Sequence, residues 1–201
     1  MRIIAGRFKG RRLKPVKSNS VRSTADRVKE SLFNILQTDC AGADVLDLFC
    51  GAGTLGMEAL SRGARYAAFV DRKRQAVVCT QENLDTLGLN GESLVISAHA
   101  FSALHTLGDR GERFSLIFAD PPYGDGWPPK VLKAVSESHA LADDGILVIE
   151  HHKKELPGTP PVGFSVWTER RFGDTMFTIW RWHRERDDGT DTTPTDTGDD
   201  S

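Results

Sequence analysis

Val45-Leu46-Asp47-Leu48-Phe49-Cys50-Gly51-Ala52-Gly53-Thr54-Leu55-Gly56 joins an apolar run, a glycine-rich turn and the start of a helical pattern. Gly51, Gly53 and Gly56 satisfy G-x-G-x-x-G between a strand and a helix. Glycine lets the backbone approach a ligand closely, and a helix N-terminus favours negative charge. Asp71 stands 20 residues past Gly51, at the end of the next apolar run, where an acid can bind ribose hydroxyls. This much is consistent with a nicotinamide dinucleotide or with S-adenosylmethionine. Asp47 inclines the choice. A carboxylate inside an apolar strand is costly unless a positive or hydrogen-bonding group meets it. A pyrophosphate at the adjacent helix start would be repelled by it, whereas a cofactor carrying an ammonium and a sulfonium would not.

The pattern repeats on the C-terminal side. Apolar runs at Ala67–Val70, Leu94–Ile96, Phe114–Ala119 and Ile146–Ile149 alternate with helical patterns over about 54–62, 73–87, 100–107 and 128–141. Strands apolar almost throughout are expected where helices cover both faces of a parallel sheet. The alternation predicts a Rossmann-like, doubly wound α/β fold with right-handed crossovers. Gly163–Phe172 and Thr175–Trp182 are separated only by Gly173-Asp174, a spacing that forces an antiparallel hairpin at the edge of the mostly parallel sheet.

The flanks differ from this centre. Residues 2–15 read as two short strands broken at Gly6 and Gly10, with few apolar anchors. They suggest a small basic β-hairpin, an appendage over 1–20 whose removal would spare cofactor binding. Residues 23–37 read as a helix, capped by Ser23 or Thr24, with Val28, Leu32, Ile35 and Leu36 on one face. The catalytic domain is expected over 21–184. Residues 185–201, low in complexity and acidic, read as a disordered tail.

The 201 residues, 39% hydrophobic and 27% charged, can form a core, which excludes global disorder. No window approaches ~18 consecutive apolar residues, and the start lacks the apolar stretch of a signal peptide. Three cysteines without a CxxC pair argue against a disulfide scaffold or a zinc ribbon and fit a reducing cytoplasm. The net charge of −2 hides an asymmetry. Residues 1–30 carry ten Lys/Arg against two acids, and 185–201 carry seven acids against one Arg. Arg7, Lys9, Arg11, Arg12 and Lys14 form a stripe dense enough to contact a polyanion, the bland alternative being a solvated face.

Asp120-Pro121-Pro122-Tyr123 lies at the carboxyl end of the fourth strand, the edge where open α/β sheets bind ligands. Two prolines fix the backbone there. The Asp120 carboxylate and the Pro121 carbonyl can accept hydrogen bonds from an exocyclic amine, and Tyr123 offers a face for stacking a base.

Together these elements resemble the class I S-adenosylmethionine-dependent amino-methyltransferases. Arg22-Ser23-Thr24-Ala25-Asp26-Arg27-Val28-Lys29-Glu30-Ser31-Leu32-Phe33-Asn34, Leu60-Ser61-Arg62-Gly63-Ala64 and Phe172-Gly173-Asp174-Thr175 narrow the likeness. With Asp-Pro-Pro-Tyr they resemble the RsmD family, the 16S ribosomal RNA guanine-N2 methyltransferases, from about Arg2 to about Trp182. The resemblance implies that Arg22 and Thr24 lie near the methionine end of S-adenosyl-L-methionine. It puts Asp47, Phe49, Gly51 and Gly53 at the cofactor loop, Asp71 on the ribose and His99 and Ala100 beside the adenine. Asp120 to Tyr123 would hold the target guanine. The partner implied is 16S rRNA or a small ribosomal subunit particle, met by a monomer without metal. The chain departs from the family's pattern at Ser23, where proline is usual, and at His99, where an acid or amide usually meets the adenine amine.

Rival readings are a DNA or RNA adenine-N6 methyltransferase, a nicotinamide-dependent oxidoreductase, and a non-catalytic RNA-binding module on the same fold. Cys50 reads as packing rather than as a nucleophile. His151-His152-Lys153-Lys154 reads as a solvated strand end, and Trp167, Trp180 and Trp182 as packing in the final hairpin. Trp127 is poised between bordering the base pocket and packing at a helix start.

Overall fold

The computed structural model describes residues 1–16 and 26–183; Arg22, Ser23, Thr24 and the acidic tail lie outside the described residues. In chain order the elements are α1 (Asp26–Leu36), β1 (Asp44–Leu48), α2 (Thr54–Ser61), β2 (Tyr66–Asp71) and α3 (Arg74–Leu87). Then follow β3 (Ser93–Ser97), α4 (Ala100–Asp109), β4 (Phe114–Ala119), α5 (Trp127–Ser138), β5 (Leu141–His152), β6 (Phe164–Phe172) and β7 (Thr175–Trp182). The strands form one sheet in the order β3-β2-β1-β4-β5-β7-β6. The pairs from β3 to β5 are parallel, and β5–β7 and β7–β6 are antiparallel. The winding direction reverses between β1 and β4, which opens a crevice at their carboxyl ends.

Side chains alternate along a strand, so each strand feeds two cores. Val45, Phe69, Leu116, Phe118 and Val148 join Leu32, Phe33 and Leu36 of α1 and Leu55 and Leu60 of α2 in one cluster. Leu46, Leu48, Val70, Ile117 and Leu147 join Leu104 of α4 and Val131 and Leu132 of α5 in the other. The doubly wound fold and its antiparallel edge are therefore those that the spacing of apolar runs predicts.

Two segments depart from the sequence reading. The strand expected at Ile146–Ile149 runs on to His152, because Glu150, His151 and His152 pair with Phe177, Met176 and Thr175 of β7. His151 is accordingly buried, its Nε2 2.9 Å from the Thr178 hydroxyl, and is no solvated strand end.

The N-terminal segment is also more firmly seated than an appendage with few anchors. Its two arms pair through the antiparallel bridge Arg2–Arg12, with Ile3 N donating to the Arg11 carbonyl, Gly10 N to the Ile3 carbonyl and Leu13 N to the Met1 carbonyl, and no extended strand forms among the described residues there. Ile3 and Leu13 are nonetheless core residues. The fully buried Glu58 carboxylate of α2 accepts the Ile4 and Ala5 amides at 2.8 and 3.0 Å, the Arg62 Nε at 2.8 Å and the Lys29 ammonium at 3.2 Å. Lys29, also buried, donates on to the Arg2 carbonyl at 2.6 Å. Removing residues 1–20 would strip this carboxylate of both amides, so deletion does not isolate the segment's charge.

Candidate active site

The glycine loop is built by backbone conformation. Phe49, Gly51 and Gly53 have φ of 60°, 57° and 76°. Glycine takes the left-handed region freely, whereas Phe49 stores strain there, which its ring contacts offset. Its ring lies 5.5 Å from Trp127 and 6.4 Å from Phe101, both edge-on. Gly56 is required for another reason: a Cβ there would come within 2.4 Å of the Phe69 ring, so α2 can approach β2 only without a side chain. Asp71 clasps the loop, accepting from Gly51 N at 3.1 Å and from Lys73 N at 2.8 Å. On α3, Thr80 Oγ1 donates to the Gly51 carbonyl at 2.9 Å. Asn83 on the same helix donates to the Ala52 and Lys14 carbonyls, both at 3.1 Å, and so ties the N-terminal segment to the loop.

Beside this loop opens a cavity of about 690 Å3. Phe49, Gly51, Asp71, His99, Ala100, Asp120, Pro121, Pro122 and Tyr123 all line it, so most of the candidate residues converge on one space. Trp127, the first residue of α5, lines it too, its ring edge-on to Phe49 and tilted against Phe101, so it both packs at the helix start and borders the pocket. Glu150, which no sequence motif marks, is a further wall residue, and Met1, Pro15 and Val16 bring the N-terminal segment to the rim.

Asp47 and Gly53 do not line the cavity. Gly53 is buried, and a Cβ on it would meet Met57, Thr80 and Phe69. Asp47 is 2% exposed and its Oδ2 accepts the Gly56 amide at 2.9 Å, so it shapes the glycine turn from behind. Desolvation, with a smaller push from Asp71, raises its carboxyl to about 7 against the lowering effect of the Gly56 bond.

The folded Asp47 carboxyl holds its proton more tightly than the unfolded one, whose ordinary value is 3.8. Between about pH 4 and pH 7 the native state then binds more protons, and its stability falls as pH rises, by up to about 1.4 kcal/mol per unit, levelling above about pH 7. Urea unfolding of the ligand-free protein will show this slope, and Asp47→Asn will lessen it. An identical slope in the variant would contradict the assignment.

His99 caps α4, its Nδ1 facing Phe101 N at 3.4 Å, with its ring 5.4 Å from that of Phe101. Cys50 is buried beside Thr80, and burial pushes its thiol well above the ordinary range, which disfavours the thiolate that nucleophilic attack would need. The Tyr123 hydroxyl lies 3.3 Å from Glu150 Oε1 and 3.1 Å from Thr175 Oγ1. Glu155 accepts from Gly124 N and His152 N, both at 3.0 Å, and so fixes the turn after Tyr123.

In the basic stripe, Arg7 pairs with Glu92 and Lys14 with Glu82, both at the surface. Lys9, Arg11 and Arg12 are exposed and form no ion pair with a described residue. Among the described residues no group of His, Cys, Asp or Glu could hold a metal ion, and no helix is long and apolar enough to cross a membrane.

The cavity fits an adenosyl cofactor. A Cβ on Gly51 would meet no atom within 4 Å, so open space lies beside the loop backbone. The Asp71 carboxylate stands at that space, and an aromatic wall flanks it.

The family model described as conserved hypothetical protein 95 matches residues 1–181. The chain is 42% identical over 183 residues to YlbH of Bacillus subtilis, covering 90% of this chain and 98% of that one. It is 32% identical over 181 residues to Ribosomal RNA small subunit methyltransferase D of Escherichia coli, covering 90% and 89%. Among solved structures, yhhF from Escherichia coli superposes with a TM-score of 0.79 at 30% identity, covering 91% of this chain and 98% of that one.

Proposed function

The chain belongs to the RsmD family, whose model spans nearly all of it, and on that premise we propose that it transfers a methyl group from S-adenosyl-L-methionine to the N2 amine of a guanine in 16S ribosomal RNA. The relatives named above carry methyltransferase names, which favours this reading over the nicotinamide alternative. The observation that carries the reading is that the glycine loop with Asp71 and the Asp120-Pro121-Pro122-Tyr123 turn open into one cavity. In this reading the enzyme acts in the cytoplasm as a metal-free monomer.

Bound S-adenosylmethionine supplies an electrophilic methyl on a sulfonium. Asp71 accepts the ribose hydroxyls, and Phe49, Phe101 and Trp127 enclose the apolar side. Asp120 and the Pro121 carbonyl accept the hydrogens of the target amine. Its lone pair, otherwise delocalised into the ring, is thereby turned toward the methyl. Holding both reactants in one pocket makes the step effectively unimolecular, an effect that reaches roughly 7–11 kcal/mol in well-oriented systems. The methylated amine then releases one proton, to Asp120 or to water. A base must leave its stack to enter the cavity, which costs a few kcal/mol, and phosphate contacts along the N-terminal segment offset this.

Incubating the protein with labelled S-adenosylmethionine and undermethylated small-subunit particles, then mapping the labelled nucleotide, tests the reading. N2-methylguanine in 16S rRNA is expected; no transfer, or label on an adenine, would refute it.

The phosphate contacts have their own signature. Replacing Lys9, Arg11 and Arg12 by alanine together will weaken RNA binding and flatten its salt dependence by up to roughly 0.7–0.9 in log–log slope per residue. Affinity for S-adenosylhomocysteine will not change. An unaltered slope in filter binding would remove these residues from the interface.

A further inference from the structure

Glu150 follows Ile149 on β5, and Ile149 is in register with Ala119 of the parallel neighbour β4. Glu150 and Asp120 therefore hold matching positions at the carboxyl ends of adjacent strands. Glu150 is only 6% exposed, yet it lines the same cavity as the Asp-Pro-Pro-Tyr turn. Its Oε1 accepts the Tyr123 hydroxyl, and that hydroxyl is itself steadied by Thr175. A carboxylate offers about four acceptor sites, so it can meet a ligand's donor as well as its partners within the protein.

We propose that Glu150 is the residue that selects guanine, its carboxylate accepting the N1–H of the target base while Asp120 and the Pro121 carbonyl accept the N2 amine. The inference rests on the reading of this cavity as the base pocket and narrows it. Guanine shows two adjacent donors on its Watson–Crick edge, N1–H and the N2 amine, and two adjacent carboxylates match them. Adenine and cytosine show an amine beside a bare ring-nitrogen lone pair. A carboxylate facing that lone pair gains no hydrogen bond from the base and is repelled by it, so the wrong base is excluded by repulsion as well as by a lost contact. The Asp-Pro-Pro-Tyr turn alone would accept any exocyclic amine. Glu150 supplies the discrimination that the turn lacks, and Tyr123 acts as a positioning residue for it.

The test uses small-subunit particles rebuilt with either guanine or 2-aminopurine at the nucleotide that the native protein methylates. 2-Aminopurine keeps the N2 amine and replaces N1–H by a lone pair. The native protein is expected to prefer guanine by about 10- to 100-fold in kcat/KM, the worth of one hydrogen bond to a charged group. Glu150→Gln keeps the side chain's size and an oxygen for Tyr123 but adds a donor. It is expected to lose a similar factor on guanine, to gain on 2-aminopurine, and to bind S-adenosylhomocysteine as the native protein does. A native protein indifferent to the two bases overturns the proposal whether or not the variant folds. Equal losses on both bases in a variant with intact cofactor affinity overturn it too. Label mapped to an adenine overturns the guanine reading beneath it and is told apart because it appears with native protein and native particles.

Discussion

Asp120→Ala will lower methyl transfer about 10²- to 10³-fold while affinity for S-adenosylhomocysteine is unchanged. The reason is the location of the carboxylate. Asp120 stands at the carboxyl end of β4, and its amide reaches the Leu48 carbonyl at the end of β1, where the sheet reverses. It faces the cavity beside rigid proline backbone, away from the Asp71 side of the glycine loop. In the proposed mechanism its removal takes away an acceptor for the charge that develops on the amine, and loss of one such preorganised group carries a penalty of this size. Asp120→Asn, which retains an amide oxygen as acceptor, will keep part of the turnover. Single-turnover transfer and S-adenosylhomocysteine titration separate the two effects. Weakened cofactor binding with normal turnover at saturation would place Asp120 on the cofactor rather than on the amine.

The second large effect is on stability. Glu58→Ala will destabilise the protein by about 3–5 kcal/mol, the range for breaking a buried ion pair from one side. The variant leaves the Ile4 and Ala5 amides without their acceptor and the buried Lys29 ammonium without its counter-ion. Desolvation already holds Lys29 below its ordinary range, opposed chiefly by Glu58, so without that carboxylate Lys29 sheds its proton more readily. Urea unfolding will report the loss. Hydrogen exchange at Ile4 and Ala5 will show that the N-terminal segment opens first. A loss under about 1 kcal/mol, the scale of a surface pair, would mean that the segment is held chiefly by Ile3, Leu13 and its hydrogen bonds to Ser61 and Asn83.

This carboxylate also shows where reading the sequence stops. The centre of the fold is legible because strands covered on both faces are apolar throughout, and Gly51, Gly53, Gly56 and Gly88 mark the turns and helix ends. Asp71 and Asp120 are legible because each is a lone acid at the end of such a run. Ile3 and Leu13, by contrast, are two apolar residues in a strongly basic stretch. Their polar partner, Glu58, looks like any acid on a helix, since a burial created by residues more than fifty positions away leaves no local pattern.

Glu150 and His151 were hidden for a related reason. After Ile149 the polarity of Glu-His-His-Lys-Lys reads as a strand leaving the core, whereas pairing with β7 carries β5 three residues further. The predicted antiparallel hairpin was the one available hint that this end would be covered. Asp47 was legible as a buried acid, but its partner was not. The Gly56 amide satisfies it from inside the loop, so its influence on the cavity passes through the shape of the turn.

In the proposed mechanism Asp71 and Asp120 face the two reactants across one cavity. A crystal structure of the full chain with S-adenosylhomocysteine tests it most directly. The ribose hydroxyls are expected on the Asp71 carboxylate and the homocysteine sulfur on the side of the cavity toward Asp120 and Pro121. An adenosyl group bound outside this cavity, or an Asp120 carboxylate turned away from the sulfur into solvent, would contradict it.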